Sequence, residues 1–180
     1  QVCSKHSGPR RCTGYPDMAR YAEQVRCQSH LGFRQEFYIG KKMKLALTGA
    51  SGNFGREFQT QADCDVITIN RSDWDGIAAI LSPGVDIVIH AASDLQSSVA
   101  RSPVKILDSN LVSTARLLEA MKTYEIPRLI FMSSCAVYGN SIDCSESGVC
   151  NPVSINGICK LLNERIISDF CRSSGIKYEI

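Results

Sequence analysis

Three glycines spaced three residues apart, Gly49, Gly52 and Gly55, form the part of the sequence best suited to hold a ligand. An apolar run at 45–47 precedes them and a helix-forming stretch begins at Arg56, so the order is strand, glycine turn and helix. In that context the glycines allow a tight turn, close approach of the backbone to a pyrophosphate, and close packing of the helix on the strand. Backbone amides at the helix start would meet the phosphate charge. The motif predicts a dinucleotide site, and a glycine-rich turn without a ligand is the alternative.

Other polar side chains follow the predicted strands at the points where those strands end. In an open parallel sheet, ligands bind beyond the carboxyl ends of the strands, so these residues are the candidates for chemistry. They are Thr48 and Gly49 after the first strand, Asn70, Arg71, Ser72 and Asp73 after the second, His90, Ala91, Ala92 and Ser93 after the third, and Ser133 and Ser134 after the fourth. Lys160 lies on the helix that follows this last group.

The elements that would position these residues alternate along the chain from Met43 onward. Short β-branched and apolar runs predict strands at 43–48, 65–70, 85–92 and 127–133, with another strand beginning at 176. Apolar residues at helical spacing predict helices at 53–61, 74–81, 104–124 and 153–173. Repeated strand–helix units with apolar strands indicate an α/β fold, a Rossmann-type doubly wound parallel sheet with helices on both faces.

Length, composition and charge argue against several classes of protein. The chain has 180 residues, of which 44% are hydrophobic and 21% charged, and this suits one globular domain. A net charge of +2 gives no basic field for nucleic acid, and no apolar run approaches the ~20 residues of a membrane helix. We therefore expect no nucleic-acid partner and no membrane partner.

The nine cysteines form no Cys-x-x-Cys pair. Those at 64, 135, 159 and 171 fall in apolar or helical segments, so we interpret them as small buried hydrophobes or bystanders and expect no metal site. A zinc site or a disulfide frame is the alternative. Reduced thiols would place the protein in the cytoplasm.

Residues 1–42 differ in charge from the rest of the chain. They hold eight Lys or Arg against three Asp or Glu, and the remaining residues hold twelve against fifteen. We interpret 1–42 as a basic, irregular N-terminal extension and 43–180 as the dinucleotide-binding domain. Met43 would then be a natural start, and the alternative is a basic arm that binds a partner.

Several motifs occur in the order found in one enzyme family. They are Thr48-Gly49-Ala50-Ser51-Gly52-Asn53-Phe54-Gly55, His90-Ala91-Ala92, Asn110, Ser133-Ser134-Cys135-Ala136-Val137-Tyr138-Gly139, and Pro152 followed by Lys160-Leu161-Leu162-Asn163-Glu164. Together they resemble the extended short-chain dehydrogenases/reductases, the NAD-dependent epimerase/dehydratase family that acts on nucleotide sugars. The resemblance covers about residues 43–180. It implies NAD or NADP as cofactor, a nucleotide-sugar substrate, and hydride transfer between the nicotinamide and a sugar carbon.

The resemblance also implies roles for individual residues. The cofactor would contact Gly49, Ser51, Gly52, Asn53, Phe54 and Gly55, with Asp73 or Asp75 near the adenine and Ala91 and Ala92 along its length. Asn110 would tie its helix to a strand. Ser134 would hydrogen-bond the reacting hydroxyl or carbonyl, and Lys160 would bond the nicotinamide ribose and lower the pKa of a catalytic Tyr. The alternatives are a strand-end hydroxyl for Ser134, a solvated helix residue for Lys160 and a helix N-cap for Asp73.

One position departs from the pattern of the family. The Tyr-x-x-x-Lys motif would place its Tyr four residues before Lys160, where this chain has Asn156. Residues four apart share a helix face, so Asn156 should point into the same site. An amide forms hydrogen bonds but cannot titrate usefully, and losing a positioned acid/base removes a factor of about 10²–10⁴. The alternative to an enzyme is therefore a non-catalytic dinucleotide-binding module or an inactive fragment.

Cofactor choice, chain length and assembly depend on further residues. Asn70 and Arg71 at the end of the second strand favour NADP, whereas the commonest cofactor of the family is NAD. Because the chain ends at Ile180, we expect the sheet to stop before the family's C-terminal substrate-binding part. The helices at 104–124 and 153–173 carry broad apolar stripes, and the family's pairing of these helices implies a homodimer.

Overall fold

The computed structural model describes residues 42–81, 83–94, 102–141 and 145–180. Its strands are β1 (Lys44–Thr48), β2 (Asp65–Ile69), β3 (Ile87–His90), β4 (Arg128–Phe131) and β5 (Lys177–Glu179). Its α-helices are α1 (Asn53–Gln61), α2 (Ile77–Ile80), α3 (Pro103–Leu107), α4 (Ser113–Thr123) and α5 (Ile155–Ser174). Two 3-10 helices span Arg71–Gly76 and Cys135–Tyr138, and a π-helical segment, Asp108–Val112, joins α3 to α4. The predicted N-terminal extension, apart from Lys42, lies outside the described residues.

The five strands form one parallel sheet in the order β2-β1-β3-β4-β5. Thr48 pairs with His90, and His90 pairs with Phe131, so β1, β3 and β4 end at the same edge of the sheet. The chain moves to one side from β1 to β2 and to the other side for β3, β4 and β5. With right-handed crossovers, α1 lies on one face and α2 to α5 on the other. The predicted Rossmann-type doubly wound sheet is confirmed, with its switch point between β1 and β3.

The strands are apolar because both of their faces are buried. Alternate residues Ala46, Val88 and Leu129 face the cluster that α2, α4 and α5 cover, while Leu45 and Leu47 on the other face are 0% exposed. The helices contribute seven further residues of this cluster, namely Ile77, Leu117, Leu118, Ala120, Met121, Ile167 and Cys171. Each fully buried Leu or Ile contributes about 1.5–3 kcal/mol relative to an exposed one.

The long helix predicted at 104–124 is interrupted. Between α3 and α4 the Ser113 N–H bonds to the Asp108 carbonyl five residues earlier, which is the π-helical pattern. The extra residue rotates the helix face, so Leu118 and Met121 are buried while Leu107 is 41% exposed. The predicted apolar stripe is therefore right for α4 and wrong for α3, because a single helical period cannot describe a helix that contains a π-turn.

We predict that α5 stabilises the fold through Ile167, a residue buried in the core. Ile167 is fully buried, so Ile167→Ala should lower the free energy of unfolding by about 2–5 kcal/mol through loss of burial and a residual cavity. Ile180, which follows β5, is 47% exposed, and Ile180→Ala is the control for the same substitution at an exposed position, with an expected change within about 0.5 kcal/mol. Urea unfolding followed by circular dichroism measures both, and equal losses would contradict the assignment.

Candidate functional site

The glycine turn lies directly against the segment that follows β3. Gly49 has a left-handed backbone with φ of 74°, and a Cβ atom there would lie 2.8 Å from backbone atoms of Ala91 and Ala92. At Gly55 a Cβ atom would lie 2.4 Å from the Gly49 carbonyl oxygen. Only glycine fits at these two positions, so they bring the start of α1 and the ends of β1 and β3 together at the switch point.

The first turn of α1 presents backbone N–H groups at this edge of the sheet. Its N-cap, Gly52, supplies no side-chain cap, and the first turn carries no acidic residue. The Arg56 guanidinium donates to the Ser51 carbonyl at 2.5 Å and to Asn53 Oδ1 at 2.8 Å, which adds a positive charge beside the turn. Amides at a helix start and a nearby cation are suited to hold a phosphate.

A buried chain of hydrogen bonds joins β1, β3 and α4. Oγ1 of Thr48 lies 2.7 Å from Nδ1 of His90, and Nε2 of His90 lies 2.9 Å from Oγ1 of Thr114. Thr114 donates its proton to the Asn110 carbonyl at 3.0 Å, so it must accept from Nε2–H of His90. Nδ1 of His90 is then the acceptor from Thr48, and Thr48 in turn accepts from the Ala92 N–H at 3.0 Å. Proton counting thus fixes His90 as the neutral Nε2–H tautomer.

The surroundings of His90 keep its ring neutral. Burial, with a smaller contribution from the Lys160 charge, lowers the pKa of His90 to about 3. The ring packs against Phe131 at 5.4 Å and edge-on against Trp74 at 5.9 Å between ring centres. A second ring proton would turn the acceptor Nδ1 into a donor and reverse the bond to Thr48. His90 therefore belongs to the frame of the site and is not suited to act as an acid or base near neutral pH.

Asn110 lies in the π-helical segment and joins three parts of the chain. Its Oδ1 accepts from the Asp94 N–H at 2.8 Å, and its Nδ2 donates to the Ile106 carbonyl at 3.1 Å. Its own carbonyl accepts from Nδ2 of Asn163 on α5 at 2.7 Å. The expected tie between this helix and a strand is present, but it runs to the segment after β3 and also extends to α5.

Lys160 is buried, so its interpretation as a solvated helix residue is wrong. Its side chain donates to the Met132 carbonyl at 2.6 Å, and Nζ lies 4.6 Å from the centre of the Phe131 ring. Burial lowers the pKa of Lys160 to about 8, against an opposing contribution from Glu164. Glu164 also accepts a hydrogen bond from Ser133 at the end of β4. The ammonium group is mostly charged at pH 7 and loses its proton well below the pH of an ordinary lysine.

Ser134 and Asn156 begin the two elements that follow β4. Oγ of Ser134 accepts from the Ala136 N–H at 3.2 Å and so caps a 3-10 helix, which leaves the hydroxyl proton available for a ligand. Asn156, in the first turn of α5, is half-buried and lies 3.3 Å from the hydroxyl of Ser93, which follows β3. The structure thus brings Asn156 and Lys160 to the carboxyl edge of β3 and β4, as the shared helix face predicts.

The residues predicted to lie near the adenine have partners within the protein. Asp73 accepts from the Asn70 N–H at 2.6 Å and closes a capping box, so its local role is capping from the third helical position. Asp75 forms an ion pair with Arg116 at 2.8 Å.

Two further residues predicted to bind the cofactor also contact protein side chains. The Arg71 side chain is 73% exposed, and its Nη2 lies 3.9 Å from the Asp94 carboxylate. Phe54, predicted to contact the cofactor, stacks on Phe58 within α1, with 5.8 Å between ring centres.

The cysteines do not form one class. Cys159 and Cys171 are buried, as predicted, whereas Cys135 is exposed and Cys64 and Cys150 are half-buried. All five are free thiols, and burial raises the pKa of Cys171 to about 11. Within the described ranges no group of three or more His, Cys, Asp or Glu side chains is placed to hold a metal ion. No helix in the same ranges combines the length and apolar character that crossing a membrane requires.

Comparison with known families agrees with the motif order and with this geometry. The model of the NAD dependent epimerase/dehydratase family matches residues 38–180. The chain belongs to the NAD-dependent epimerase/dehydratase family. Its relatives include a UDP-glucose 4-epimerase of Streptococcus mutans, 34% identical over 100 residues, which are 54% of this chain and 30% of the relative. A UDP-glucose 4-epimerase of Mycoplasma genitalium is 29% identical over 179 residues, 77% of this chain and 51% of the relative.

Solved structures share the fold of this family member. UDP-glucose 4-epimerase of Thermotoga maritima, solved with UDP-glucose, aligns with a TM-score of 0.65 and 24% identity over 76% of this chain and 53% of that chain. UDP-glucose 4-epimerase of Thermus thermophilus, solved with NAD, aligns with a TM-score of 0.66 and 23% identity over 76% and 53%. The chain therefore spans about a third to a half of the length of these proteins.

Sequence reasoning missed several residues that build the site. No individual role was predicted for Thr114, Asn163 or Arg56, although Asn163 lies in a family motif and Arg56 at the predicted start of a helix. A signal was present for Thr114, because it lies four residues after Asn110, on the same helix face. Its partnership with His90 depends on the packing of α4 on the sheet, which no local pattern contains.

We predict that His90 makes the protein less stable as the pH is lowered below about 6.5. The ring has a pKa near 6.5 when unfolded and about 3 when folded, so below pH 6.5 the unfolded chain binds a proton that the folded chain excludes. The free energy of unfolding should then decrease by up to about 1.4 kcal/mol per pH unit between pH 6.5 and pH 3. Urea unfolding at pH 7.0 and 5.5 measures the slope. His90→Gln should be less stable but less pH-dependent, and an unchanged slope in that variant would contradict the prediction.

Proposed function

We propose that the chain is the cofactor-binding part of an NAD(P)-dependent epimerase, dehydratase or reductase that acts on a nucleotide-linked sugar. The observation that supports this proposal most is the packing at the switch point of the sheet, where Gly49 lies against Ala91 and Ala92 and the start of α1 lies against Gly49. A Cβ atom at Gly49 would collide with the backbone of Ala91 and Ala92, and one at Gly55 with the backbone of Gly49 and Ala50. The glycines therefore permit the tight turn and close helix packing that a dinucleotide site of this kind uses. NAD in the Thermus thermophilus relative and UDP-glucose in the Thermotoga maritima relative support the choice of ligands.

The residues of this chain would divide the task in a definite way. Amides of the glycine turn and the α1 start would bind the pyrophosphate, with Arg56 adding positive charge. Lys160, held by the Met132 carbonyl, would orient the nicotinamide ribose with its charge intact at pH 7. The bound nicotinamide supplies hydride chemistry. Ser134, whose hydroxyl accepts from the Ala136 N–H, could donate its own proton to a hydroxyl or carbonyl oxygen of the sugar.

Asn156 supports a second candidate, a dinucleotide-binding module without catalysis. An amide at this position cannot take or give the proton that accompanies hydride transfer. The two candidates differ in their response to Asn156→Tyr. If cofactor reduction with a nucleotide sugar appears only in that variant, the natural chain is a binding module on an otherwise intact site. If the natural chain itself turns over, the enzyme proposal stands.

We predict saturable binding of NADH to this chain, measured by fluorescence titration. Gly52 has a backbone φ of −73°, and a Cβ there would lie 3.2 Å from the Gly49 carbonyl oxygen. Gly52→Val should therefore fold but crowd the pyrophosphate and weaken binding at least about tenfold. Gly76→Val is the control, because a Cβ there meets nothing within 4 Å, and it should bind as the natural chain does. Equal binding by both variants would contradict the placement of the cofactor.

The same titration with NADPH decides the role of Arg71. A guanidinium at the end of β2 can accept the extra phosphate of NADP. If it does so here, Arg71→Ala should weaken the binding of NADPH and leave the binding of NADH unchanged. Unchanged binding of both cofactors would show that Arg71 does not hold this phosphate.

We further propose that α3 and α5 pair with a second copy of the chain. Four large apolar residues at helical spacing on α5 are exposed, namely Ile155 at 38%, Ile158 at 41%, Leu162 at 44% and Ile166 at 38%. Val104 and Leu107 on α3 are 72% and 41% exposed. The buried residues of α5 occupy its other side, so this helix has two apolar faces, and the second needs a partner.

We predict that the protein is a homodimer at micromolar concentration. A charge in the apolar stripe of α5 would be buried unpaired in the interface, so Leu162→Asp should be monomeric with an unchanged circular dichroism spectrum. Val149 is 83% exposed and lies outside the stripe, so Val149→Asp should remain dimeric. Light scattering coupled to gel filtration gives the masses, and a monomeric natural chain would overturn the proposal.

We also propose that the protein is cytoplasmic. The five thiols in the described ranges are unpaired, which suits a reducing compartment.

A further inference from the structure

The hydroxyl of Ser93 lies between two side-chain amides. Its Oγ is 3.2 Å from Oδ1 of Asn110 and 3.3 Å from Oδ1 of Asn156. A serine hydroxyl carries one proton, so it can donate to only one of these two oxygens at a time. The other contact would then be two oxygens facing each other without a hydrogen between them.

The orientation of Asn110 is fixed by its other partners. Its Oδ1 accepts from the Asp94 N–H at 2.8 Å, and its Nδ2 donates to the Ile106 carbonyl at 3.1 Å. Exchanging the two ends of this amide would lose both bonds, so the oxygen of Asn110 faces Ser93. Ser93 therefore donates its proton to Asn110, and the hydroxyl oxygen is left to accept from Asn156.

Asn156 can meet this requirement without moving. The oxygen and nitrogen of a side-chain amide have nearly the same shape, and the hydrogen-bond network decides which end points where. With Nδ2 turned to Ser93, every contact in the group has one donor and one acceptor. The order is then Asn156 Nδ2–H to Ser93 and Ser93 O–H to Asn110. The carbonyl oxygen of Asn156 faces away from Ser93.

The far end of the Asn156 amide is open. Among the described residues, the contact with Ser93 is the one hydrogen bond that the Asn156 side chain makes. The residue is half-buried, and neither polar atom of its side chain is both fully buried and without a hydrogen-bond partner. It lies in the first turn of α5, beside the segment after β3 and on the helix face of Lys160, at the edge where ligands of such sheets bind.

We infer that Asn156 is a ligand-binding residue whose carbonyl oxygen accepts a hydrogen bond from a hydroxyl group of the bound sugar. This inference rests on the proposed function. A carbonyl oxygen held in this way pairs with an alcohol but meets a ketone with two facing acceptors. Asn156 would therefore favour the alcohol form of the sugar over a keto form, and it acts in binding instead of proton transfer. Ser93 is the positioning residue, because it acts through Asn156.

The amide orientation is tested directly by nuclear magnetic resonance on the ¹⁵N-labelled chain. The Asn156 side-chain signal is identified by its loss in Asn156→Asp. We expect a nuclear Overhauser effect between the Asn156 amide protons and the β-protons of Ser93, together with slowed exchange with water that Ser93→Ala removes. Fast exchange and no effect to Ser93 in the natural chain would overturn the orientation. This measurement needs no ligand.

The ligand is tested by calorimetric titration of UDP-glucose and of UDP in the presence of NADH. Asn156→Leu should lower the affinity for UDP-glucose by about threefold to tenfold, which corresponds to the loss of one neutral hydrogen bond. UDP, which lacks the sugar, and NADH should bind this variant as they bind the natural chain. Asn156→Ala, a smaller change, guards against misfolding and should give the same pattern.

The outcomes separate this inference from the function on which it rests. If UDP-glucose binds the natural chain and both variants equally, Asn156 does not contact the sugar and the inference is overturned. If the Asn156 variants bind UDP and UDP-glucose more weakly by the same factor, Asn156 has only a structural role. That result also overturns the inference. If the natural chain binds NADH but not UDP-glucose, the ligand assignment fails while the cofactor proposal stands. If it binds neither, the proposed function itself fails.

Discussion

The chain of hydrogen bonds through His90 is the constraint on which the rest of the site depends. It begins at the Ala92 N–H, passes through Thr48, His90 and Thr114, and ends at the Asn110 carbonyl. The side chains in it are almost completely buried, so each unmade bond would leave a polar group without water at a cost of about 1–3 kcal/mol. Because the chain spans β1, β3 and α4, the glycine turn and the π-helical segment can hardly shift independently. A network in which each proton has one place selects a single arrangement of the elements around it.

The π-helical segment extends this constraint to α5. Asn110 holds the segment after β3 with its side chain and accepts from Asn163 with its carbonyl. Because Asn163, Lys160 and Asn156 all lie on α5, this bond from Asn163 to Asn110 also helps position Lys160 and Asn156 relative to the sheet. A break in regular helical structure is tolerated here because it serves three partners at once. Such breaks are frequent at functional sites.

The electrostatics of the site follow from burial more than from opposing charge. Lys160 is enclosed between the Phe131 ring and the Met132 carbonyl, and its pKa falls because its charge is removed from water. Glu164 opposes that fall while it is also bound to Ser133. In a site with a tyrosine, a buried ammonium would favour the phenolate. Asn156 has no such proton to lose, so the charge of Lys160 has no phenol to act on at this position.

The sequence by itself determined the class of fold, the family and the edge of the sheet at which the candidate site lies. Alternating apolar runs specify a parallel sheet because its strands are buried on both faces, and glycines at 49 and 55 specify a turn where no Cβ fits. These are local patterns with a physical cause that can be read along the chain. The tertiary structure alone decided which polar groups meet, for example Thr114 with His90, across 24 residues of sequence. It also decided the burial of Lys160, the π-turn within a helix predicted to be continuous, and the two-faced character of α5. These features depend on how helices pack on the sheet, and side-chain partners that are distant along the chain leave no periodic signal in it.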